Sequence, residues 1–209
     1  MADYSLYYAP SGCSLSPHIA LREAGASFDL VEVDIRNKKL VKGDGDWLAI
    51  NPKGYIAALK IPGGEVITEG AVIVRYIADK FPDAKLAPAN GTIERVRIDE
   101  WLHFIATELH KGFLPLYKAA ITSEADQKDT REVKIPARYA LLEQELGKHQ
   151  FIGGDTFSIV DGYLFYALRS WQHHLKQTLD AWPKLAAYYQ RLAKRPSVAA
   201  ALQAEGITA

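Results

Sequence analysis

The pattern of apolar residues changes near residues 82–91, and this change constrains the fold of the chain. Before it, strand-like alternation, as in Phe28–Asp34, is interleaved with helical periodicity, as in Glu69–Lys80. The segment itself reads Pro-Asp-Ala-Lys-Leu-Ala-Pro-Ala-Asn-Gly, a composition typical of a linker. Only helical patterns follow. The sequence therefore predicts an α/β unit over residues 1–81, a linker, and an all-helical unit over residues 92–209.

The α/β unit is predicted to follow the order βαβαββα around a mixed sheet. The predicted elements are strand Ser5–Tyr8, helix Ser14–Ala24, strand Phe28–Asp34, a helical turn at Trp47–Ile50, a hairpin of Ile56–Ile61 and Glu65–Ile67, and helix Glu69–Lys80. Helices are predicted in the second unit over Thr92–Tyr117, Asp126–Gly147, Ile159–Lys176, Trp182–Lys194 and Ser197–Glu205. Pro136 is expected to kink or split the second of these, because proline removes a helical hydrogen bond. Ser158 and Asp161 are expected to form a capping box at the start of a buried helix.

The helix from Thr92 carries an apolar face and a nearly opposite polar one. The polar face contains Glu100, His103, Thr107, His110 and Lys111. A polar face is usually solvated. Two histidines, a hydroxyl and a lysine within three turns nevertheless make it a candidate site.

Composition excludes several classes of function. Twenty-five basic residues balance 25 acidic ones, which argues against a nucleic-acid binder. The chain has one cysteine, and the adjacent His173 and His174 lack the i, i+4 spacing of helical metal ligands, so we expect no metal site. No leader sequence and no long apolar stretch is evident, so we expect a cytoplasmic protein without membrane association.

Cys13 is that single cysteine, and it opens the first predicted helix. Unpaired amides and the positive end of the helix dipole favour a thiolate there. With no second cysteine in the chain, such a thiolate needs a partner thiol from solution, which suggests a small-thiol cofactor. The alternative is an inert core cysteine.

Several motifs occur together in one order. They are Leu-Tyr-Tyr-x-Pro-x-x-Cys-Ser-Leu-Ser-Pro-His (6–18), Asn-Pro-Lys-Gly (51–54), Thr-Glu-Gly (68–70), Glu-Trp-Leu-x-Phe (100–104), Glu-Leu-His-Lys-Gly (108–112) and the box at Asp161. In this combination the chain resembles the bacterial beta-class glutathione transferases over almost its whole length. The resemblance implies a thioredoxin-like N-terminal domain, an all-helical C-terminal domain, glutathione as co-substrate, an apolar electrophile as second substrate, and a homodimer with the site between domains.

The resemblance also implies residue roles. Cys13 matches the cysteine beside the glutathione sulfur, which can form a mixed disulfide with it, and Ser14 and His110 match polar positions that affect catalysis. The remaining matches concern binding. Lys38 matches a residue near the glycine carboxylate of glutathione, and Ile56 matches a residue whose backbone pairs with the cysteinyl part. Glu69 and Gly70 match the pair that holds the γ-glutamyl group. His103 and Thr107 match helix positions that reach the partner subunit's glutathione.

Ala57 departs from the family pattern, which places a cis-proline at this position. A cis bond before a residue other than proline costs about 2.5–4 kcal/mol. Either the Ile56–Ala57 bond is cis at that cost, or it is trans and the loop is rebuilt, which would weaken glutathione binding.

Three functions are consistent with the sequence. The first is conjugation of the glutathione thiolate to apolar electrophiles. The second is glutathione-dependent thiol–disulfide exchange, with Cys13 as the redox nucleophile. The third is a non-catalytic binding protein on the same fold, which the loss of the proline at Ala57 favours.

Overall fold

A computed structural model describes residues 2–43 and 45–209 of the chain. Its single five-stranded sheet has the order β3-β2-β1-β4-β5. The strands are β1 (Tyr4–Tyr8), β2 (Phe28–Asp34), β3 (Lys39–Leu40), β4 (Ala58–Lys60) and β5 (Val66–Thr68). Only the β1–β2 pair is parallel, and the other three pairs are antiparallel. The predicted mixed sheet is therefore confirmed.

Three helices accompany this sheet. They are α1 (Leu15–Glu23), α2 (Trp47–Ile50) and α3 (Gly70–Lys80). The side chains of strand β1 show which face of the sheet each helix covers. Leu6 and Tyr8 belong to the large core that contains α1 and α3, whereas Tyr7 points to the other face and packs with Trp47 of α2. This alternation is the period of two that a strand imposes.

In the remainder of the described chain the regular elements are helices, apart from an isolated bridge between Phe151 and Gly154. The α-helices are α4 (Ile93–Phe104), α5 (Leu114–Tyr117), α6 (Glu124–Asp129), α7 (Ile135–Glu145), α8 (Ile159–Arg169), α9 (Pro183–Ala193) and α10 (Pro196–Ala204). Three turns with π-helical winding follow α4, α6 and α8 directly, over Ile105–His110, Thr130–Lys134 and Ser170–His174. No helix among these residues is long and apolar enough to cross a membrane.

Several predicted elements have the expected bounds, and the differences have physical reasons. Strand β2 and helix α2 match the prediction at both ends. Strand β3 was not predicted, because a two-residue ladder is too short to show a period. The predicted helix Thr92–Tyr117 is wrong as one continuous α-helix, because π-winding and a turn interrupt it. Pro136 interrupts its helix as expected, since the winding changes directly before it.

Helix α1 joins the two units. It packs against α3 of the sheet unit and against α8 and α10 of the helical unit. Its entire apolar surface is covered, and even the polar His18 in its middle is fully buried. The large core is consequently continuous across both units. The N-terminal end of α1, where Cys13 lies, is thereby placed at the junction between them.

Candidate functional site

The loop between β1 and α1 presents Cys13. Ser14 is fully buried and closes the loop, with its hydroxyl 3.3 Å from the Ala9 nitrogen, which donates to it. Gly12 leaves room for Ile56, whose Cδ1 lies 2.6 Å from where a Cβ at position 12 would be. A Cβ at position 12 would therefore push the tip of the Ile56 side chain aside.

That opposite wall is the segment before β4. The Ile56–Ala57 peptide bond is cis, so the first of the two alternatives raised by Ala57 holds in this structure. The Cys13 thiol donates a hydrogen bond to the Ile56 carbonyl oxygen at 3.3 Å. Asn51 supports the segment, because its side-chain amide donates to the Tyr55 carbonyl at 2.7 Å. Cys13 and Ile56 are thus directly in contact.

Glu69 and Gly70 stand at the N-terminus of α3. Glu69 has a positive φ of 72°, a conformation that residues other than glycine rarely adopt. Such backbone outliers concentrate at ligand sites. The first amides of α3 lack intrahelical partners, so they suit a carboxylate, and the Glu69 carboxylate beside them suits an ammonium.

The helical unit contributes the facing wall. Thr107 and His110 lie in the π-wound turn after α4, and Lys111 follows it. His110 Nδ1 is 2.8 Å from the Tyr163 hydroxyl of α8. Burial, and secondarily the charge of Lys111, lowers the pKa of His110 to about 4. The imidazole is consequently neutral at physiological pH.

Together these walls enclose a cavity of about 470 Å³, within the range of small-molecule sites. Six of the predicted site residues line it: Cys13, Ile56, Glu69, Gly70, Thr107 and His110. Three do not. Ser14 is buried behind the loop, Lys38 donates to the Gly54 carbonyl at 2.8 Å, and exposed His103 engages the Asp99 carbonyl at 2.7 Å. No metal-binding cluster occurs among residues 2–43 and 45–209.

The cavity is also lined by side chains for which the sequence predicted no individual role, among them Lys53, Tyr55, Lys111, Tyr163 and Tyr166. Lys53 lies inside the Asn-Pro-Lys-Gly motif, so the motif was the available indication. Lys111 belongs to the polar face of the Thr92 helix and lies 5.5 Å from the centre of the Tyr55 ring. Tyr163 and Tyr166 are on α8. The sequence predicted that this helix is buried in the core, and all of it is buried in the structure.

The expectation of a Cys13 thiolate is wrong, because burial outweighs the groups that favour ionisation. Burial raises the pKa of Cys13 to about 11, although Lys111 and two backbone hydrogen bonds oppose this shift. Helix α1 begins only at Leu15, and the thiol donates to the Ile56 carbonyl. A thiolate could not make that hydrogen bond.

Comparison with known proteins agrees with this architecture. The sequence profile of the glutathione S-transferase N-terminal domain matches residues 10–80, and that of the C-terminal domain matches residues 107–205. Glutathione S-transferase GstA of Escherichia coli O157:H7 is 43% identical over 202 residues, which cover 97% of this chain and 98% of the relative. Glutathione S-transferase GST-4.5 of Xanthomonas campestris pv. campestris is 33% identical over 208 residues, covering 97% and 98% of the two chains.

Solved structures give the same result. The bacterial beta-class glutathione S-transferase of Sphingomonas chungbukensis is 44% identical with a TM-score of 0.89, covering 98% of this chain and 100% of that one. A sphingomonad glutathione S-transferase complexed with glutathione is 40% identical with a TM-score of 0.90 and the same coverage. The predicted fold, a thioredoxin-like domain followed by an all-helical domain, is confirmed. This chain belongs to the glutathione S-transferase family.

Proposed function

We propose that this glutathione S-transferase binds glutathione in the cavity between Cys13 and His110 and transfers its thiolate to apolar electrophiles. The observation that supports this best is the cavity itself, which six of the predicted residues, from both domains, line together. The sphingomonad relative at 40% identity was solved with glutathione bound, which supports the same co-substrate here.

Glutathione carries one ammonium and two carboxylates at neutral pH, and the cavity offers matching groups. We assign the γ-glutamyl ammonium to the Glu69 carboxylate and its carboxylate to the first amides of α3. The cysteinyl backbone is assigned to Ile56, and the glycine carboxylate to the side where Lys38 and Lys53 lie. Lys53 donates to Thr68 at 2.7 Å, and this holds its ammonium at the cavity wall.

A neutral Cys13 suits conjugation. Two adjacent thiolates would repel each other, so a site that must ionise the glutathione thiol benefits from keeping its own thiol protonated. The pKa of about 11 keeps Cys13 in that form at physiological pH. Its S–H group is then available as a hydrogen-bond donor to the bound thiolate, in place of the Ile56 carbonyl.

The raised pKa of Cys13 also argues against thiol–disulfide exchange, the redox alternative. Thiol–disulfide exchange requires Cys13 to attack as a thiolate, and a thiol with a pKa near 11 is almost entirely protonated at neutral pH. Conjugation uses the thiolate of the co-substrate and has no such requirement.

The electrophile is assigned to the aromatic side of the cavity. Tyr163 and Tyr166 line it there, and Phe113 and Tyr117 pack edge to face behind them at 6.3 Å between ring centres. An aromatic lining of this kind accommodates an apolar substrate.

We also propose that the chain forms a homodimer and acts in the cytoplasm, with domains at residues 1–81 and 92–209 around a linker at residues 82–91. Three apolar side chains that are at least 49% exposed support the dimer: Val72 on α3, and Ile93 and Val96 on α4. Light scattering at micromolar protein concentration tests it. A monomer mass at all concentrations would exclude the dimer.

The experiment that tests the function is calorimetry with reduced glutathione, followed by conjugation of a chlorodinitrobenzene. We expect one site per chain with a dissociation constant between micromolar and low millimolar. The Glu69→Gln variant should bind about 10- to 100-fold more weakly, because it loses a charge-assisted hydrogen bond of about 1.5–3 kcal/mol.

Glu65→Gln is the matched control, since Glu65 is an exposed carboxylate four residues earlier that does not line the cavity. Its affinity should equal that of the unmodified protein. Absence of glutathione binding to the unmodified protein would overturn both enzymatic hypotheses. It would leave a binding protein on this fold.

A further inference from the structure

The His110 imidazole is held on one side only. Its Nδ1 is 2.8 Å from the Tyr163 hydroxyl, while Nε2 has no hydrogen-bond partner within residues 2–43 and 45–209. The rings of Tyr163 and Tyr166 pack edge-on against it, with ring centres 5.9 and 5.1 Å away. These contacts fix the plane of the ring, and His110 also lines the cavity next to Cys13.

The direction of the hydrogen bond follows from the two partners. Tyr163 stays protonated, because burial and the nearby Cys13 and Glu69 raise its pKa well above the ordinary value. In the described part of the chain, His110 is the one hydrogen-bond partner of its hydroxyl. The hydroxyl hydrogen therefore points to Nδ1. A neutral imidazole carries a single proton, so that proton is on Nε2.

We propose that Tyr163 is a positioning residue that holds His110 as its Nε2–H tautomer, so that His110 donates a hydrogen bond to the glutathione thiolate and does not take the thiol proton. This rests on the proposed function, because it places the thiol beside Cys13 and His110. The glutathione S–H bond breaks heterolytically, and its proton passes to water in the open cleft. The sulfur then forms the new C–S bond, and the leaving group departs with its electron pair.

The opposite tautomer of His110, protonated on Nδ1, is less favourable in free energy. If Nδ1–H donated to the Tyr163 oxygen, the Tyr163 hydroxyl would lose its acceptor in a buried place. An unsatisfied buried donor is unfavourable by about 1–3 kcal/mol. Nε2 would then be an acceptor and would compete for the thiol proton as a weak base, since His110 binds protons poorly.

The charged and titratable groups that face His110 come from four elements. Lys111 follows it in the chain, Cys13 is on the β1–α1 loop, Glu69 precedes α3, and Tyr163 and Tyr166 are on α8. Lys111 is the cation among these five lining groups. Removing the Tyr163 hydroxyl leaves the charges of the other four groups unchanged. A change in the ionisation of the glutathione thiol in that variant is therefore attributable to the His110 tautomer.

The decisive measurement is nitrogen-15 NMR of the histidine rings in the unmodified protein and in Tyr163→Phe. We expect His110 in the unmodified protein to show a protonated Nε2 and an unprotonated Nδ1. In Tyr163→Phe the two tautomers should interconvert. Tyr166→Phe is the matched control, because that ring also packs on His110 but makes no hydrogen bond to it. Its His110 tautomer should match the unmodified protein.

A second measurement follows thiolate absorbance near 240 nm against pH at saturating glutathione. Tyr163→Phe should raise the midpoint by about one pH unit and lower kcat about tenfold with little change in KM for glutathione, as expected for one hydrogen bond. The midpoint of Tyr76→Phe, a tyrosine on α3 that does not line the cavity, should stay unchanged.

A protonated Nδ1 in the unmodified protein would overturn the proposal, and so would an unchanged tautomer and midpoint in Tyr163→Phe. The NMR measurement on the unmodified protein decides the tautomer even if a variant fails to fold. It also needs no glutathione. A failure of glutathione binding in calorimetry would therefore count against the proposed function and not against the tautomer.

Discussion

Cys13 and His110 face the same cavity, and burial shifts both toward their neutral forms. The pKa of the thiol rises to about 11, and that of the imidazole falls to about 4. Lys111 acts on both groups and lowers both pKa values, so it partly offsets burial at Cys13 and reinforces it at His110. At physiological pH the reacting sulfur of a bound glutathione would meet two neutral donors and one nearby cation.

The raised pKa makes the reactivity of Cys13 strongly dependent on pH. At pH 8 a thiol with a pKa of about 11 is roughly 0.1% thiolate, against roughly a quarter for an unperturbed cysteine. We expect alkylation by iodoacetamide in the free protein to be about a hundredfold slower than in the denatured chain at this pH. The rate should rise about tenfold per pH unit between pH 7 and 10. A plateau near pH 8 would contradict the shift.

At the scale of the element, the π-wound turn after α4 decides which polar residues reach the cavity. Thr107 and His110 face it, whereas Glu100 and His103, one or two turns earlier on α4, do not. The polar face predicted from 100° per residue is therefore divided by the change in winding. Gly112 ends this segment, and a Cβ there would overlap the backbone carbonyl of Glu108.

Replacing Gly112 by alanine should therefore displace the turn that carries His110. We expect a loss of about 1–3 kcal/mol in the free energy of unfolding, typical of overpacking, together with lower kcat/KM. Urea denaturation and conjugation kinetics measure the two effects. Gly162→Ala in α8 is the control, since its Cβ would meet Ile19 Cγ2 at an ordinary 3.4 Å. Equal losses of unfolding free energy and of kcat/KM in the two variants would contradict this explanation.

The capping box at the start of α8 is confirmed, and its carboxylate has further partners. Asp161 is fully buried, and it accepts hydrogen bonds from the Ser158 amide at 2.7 Å, the Ile152 amide at 3.1 Å and the Tyr188 hydroxyl at 2.5 Å. It thus joins α8 to the preceding loop and to α9. Helix α8 in turn carries Tyr163.

We expect Asp161→Ala to lower the free energy of unfolding by about 3 kcal/mol, because it removes a cap and leaves buried donors unsatisfied. Asp180→Ala, at an exposed aspartate, should change it by less than about 0.5 kcal/mol. Chemical denaturation at pH 7 compares the two. A loss below 1 kcal/mol for Asp161→Ala would show that the box contributes little.

At the scale of the whole molecule, the helical domain holds the Cys13 loop in place. Ser11 has a positive φ of 65°, and its amide donates to Glu205 Oε2 at 3.0 Å. Its hydroxyl contacts His174 Nε2 at 2.7 Å and accepts from Arg169. The other oxygen of Glu205 is 2.8 Å from Nδ1 of buried His18 in α1. One carboxylate after α10 therefore ties both the loop and α1 to the second domain.

Glu205→Ala should release the loop. We expect a fall in kcat/KM of about tenfold or more, because the two lost hydrogen bonds are each worth about 0.5–1.5 kcal/mol and buried His18 loses its partner. Glu205→Gln keeps an acceptor oxygen and should recover part of the loss. Gln203→Ala, at an exposed position on α10, serves as the control. A folded Glu205→Ala protein with unchanged kinetics would show that the loop holds its shape unaided.

The sequence alone determined the two-domain order, most of the strands and helices, the family and six of the residues that line the cavity. Each of these depends on local periodicity or on a contiguous motif, such as Asn-Pro-Lys-Gly or the run around Cys13. Each of these signals lies within a few neighbouring residues, so a single sequence is enough to detect it.

Only the tertiary structure decided the rest. The pKa of Cys13 depends on burial against Ile56, 43 residues away, and on the charge of Lys111. The tautomer of His110 depends on Tyr163, which sequence periodicity placed in the core. The loop geometry depends on Glu205, 194 residues from Ser11. Desolvation and hydrogen bonding act through space, so these properties exist only once the two domains are packed together.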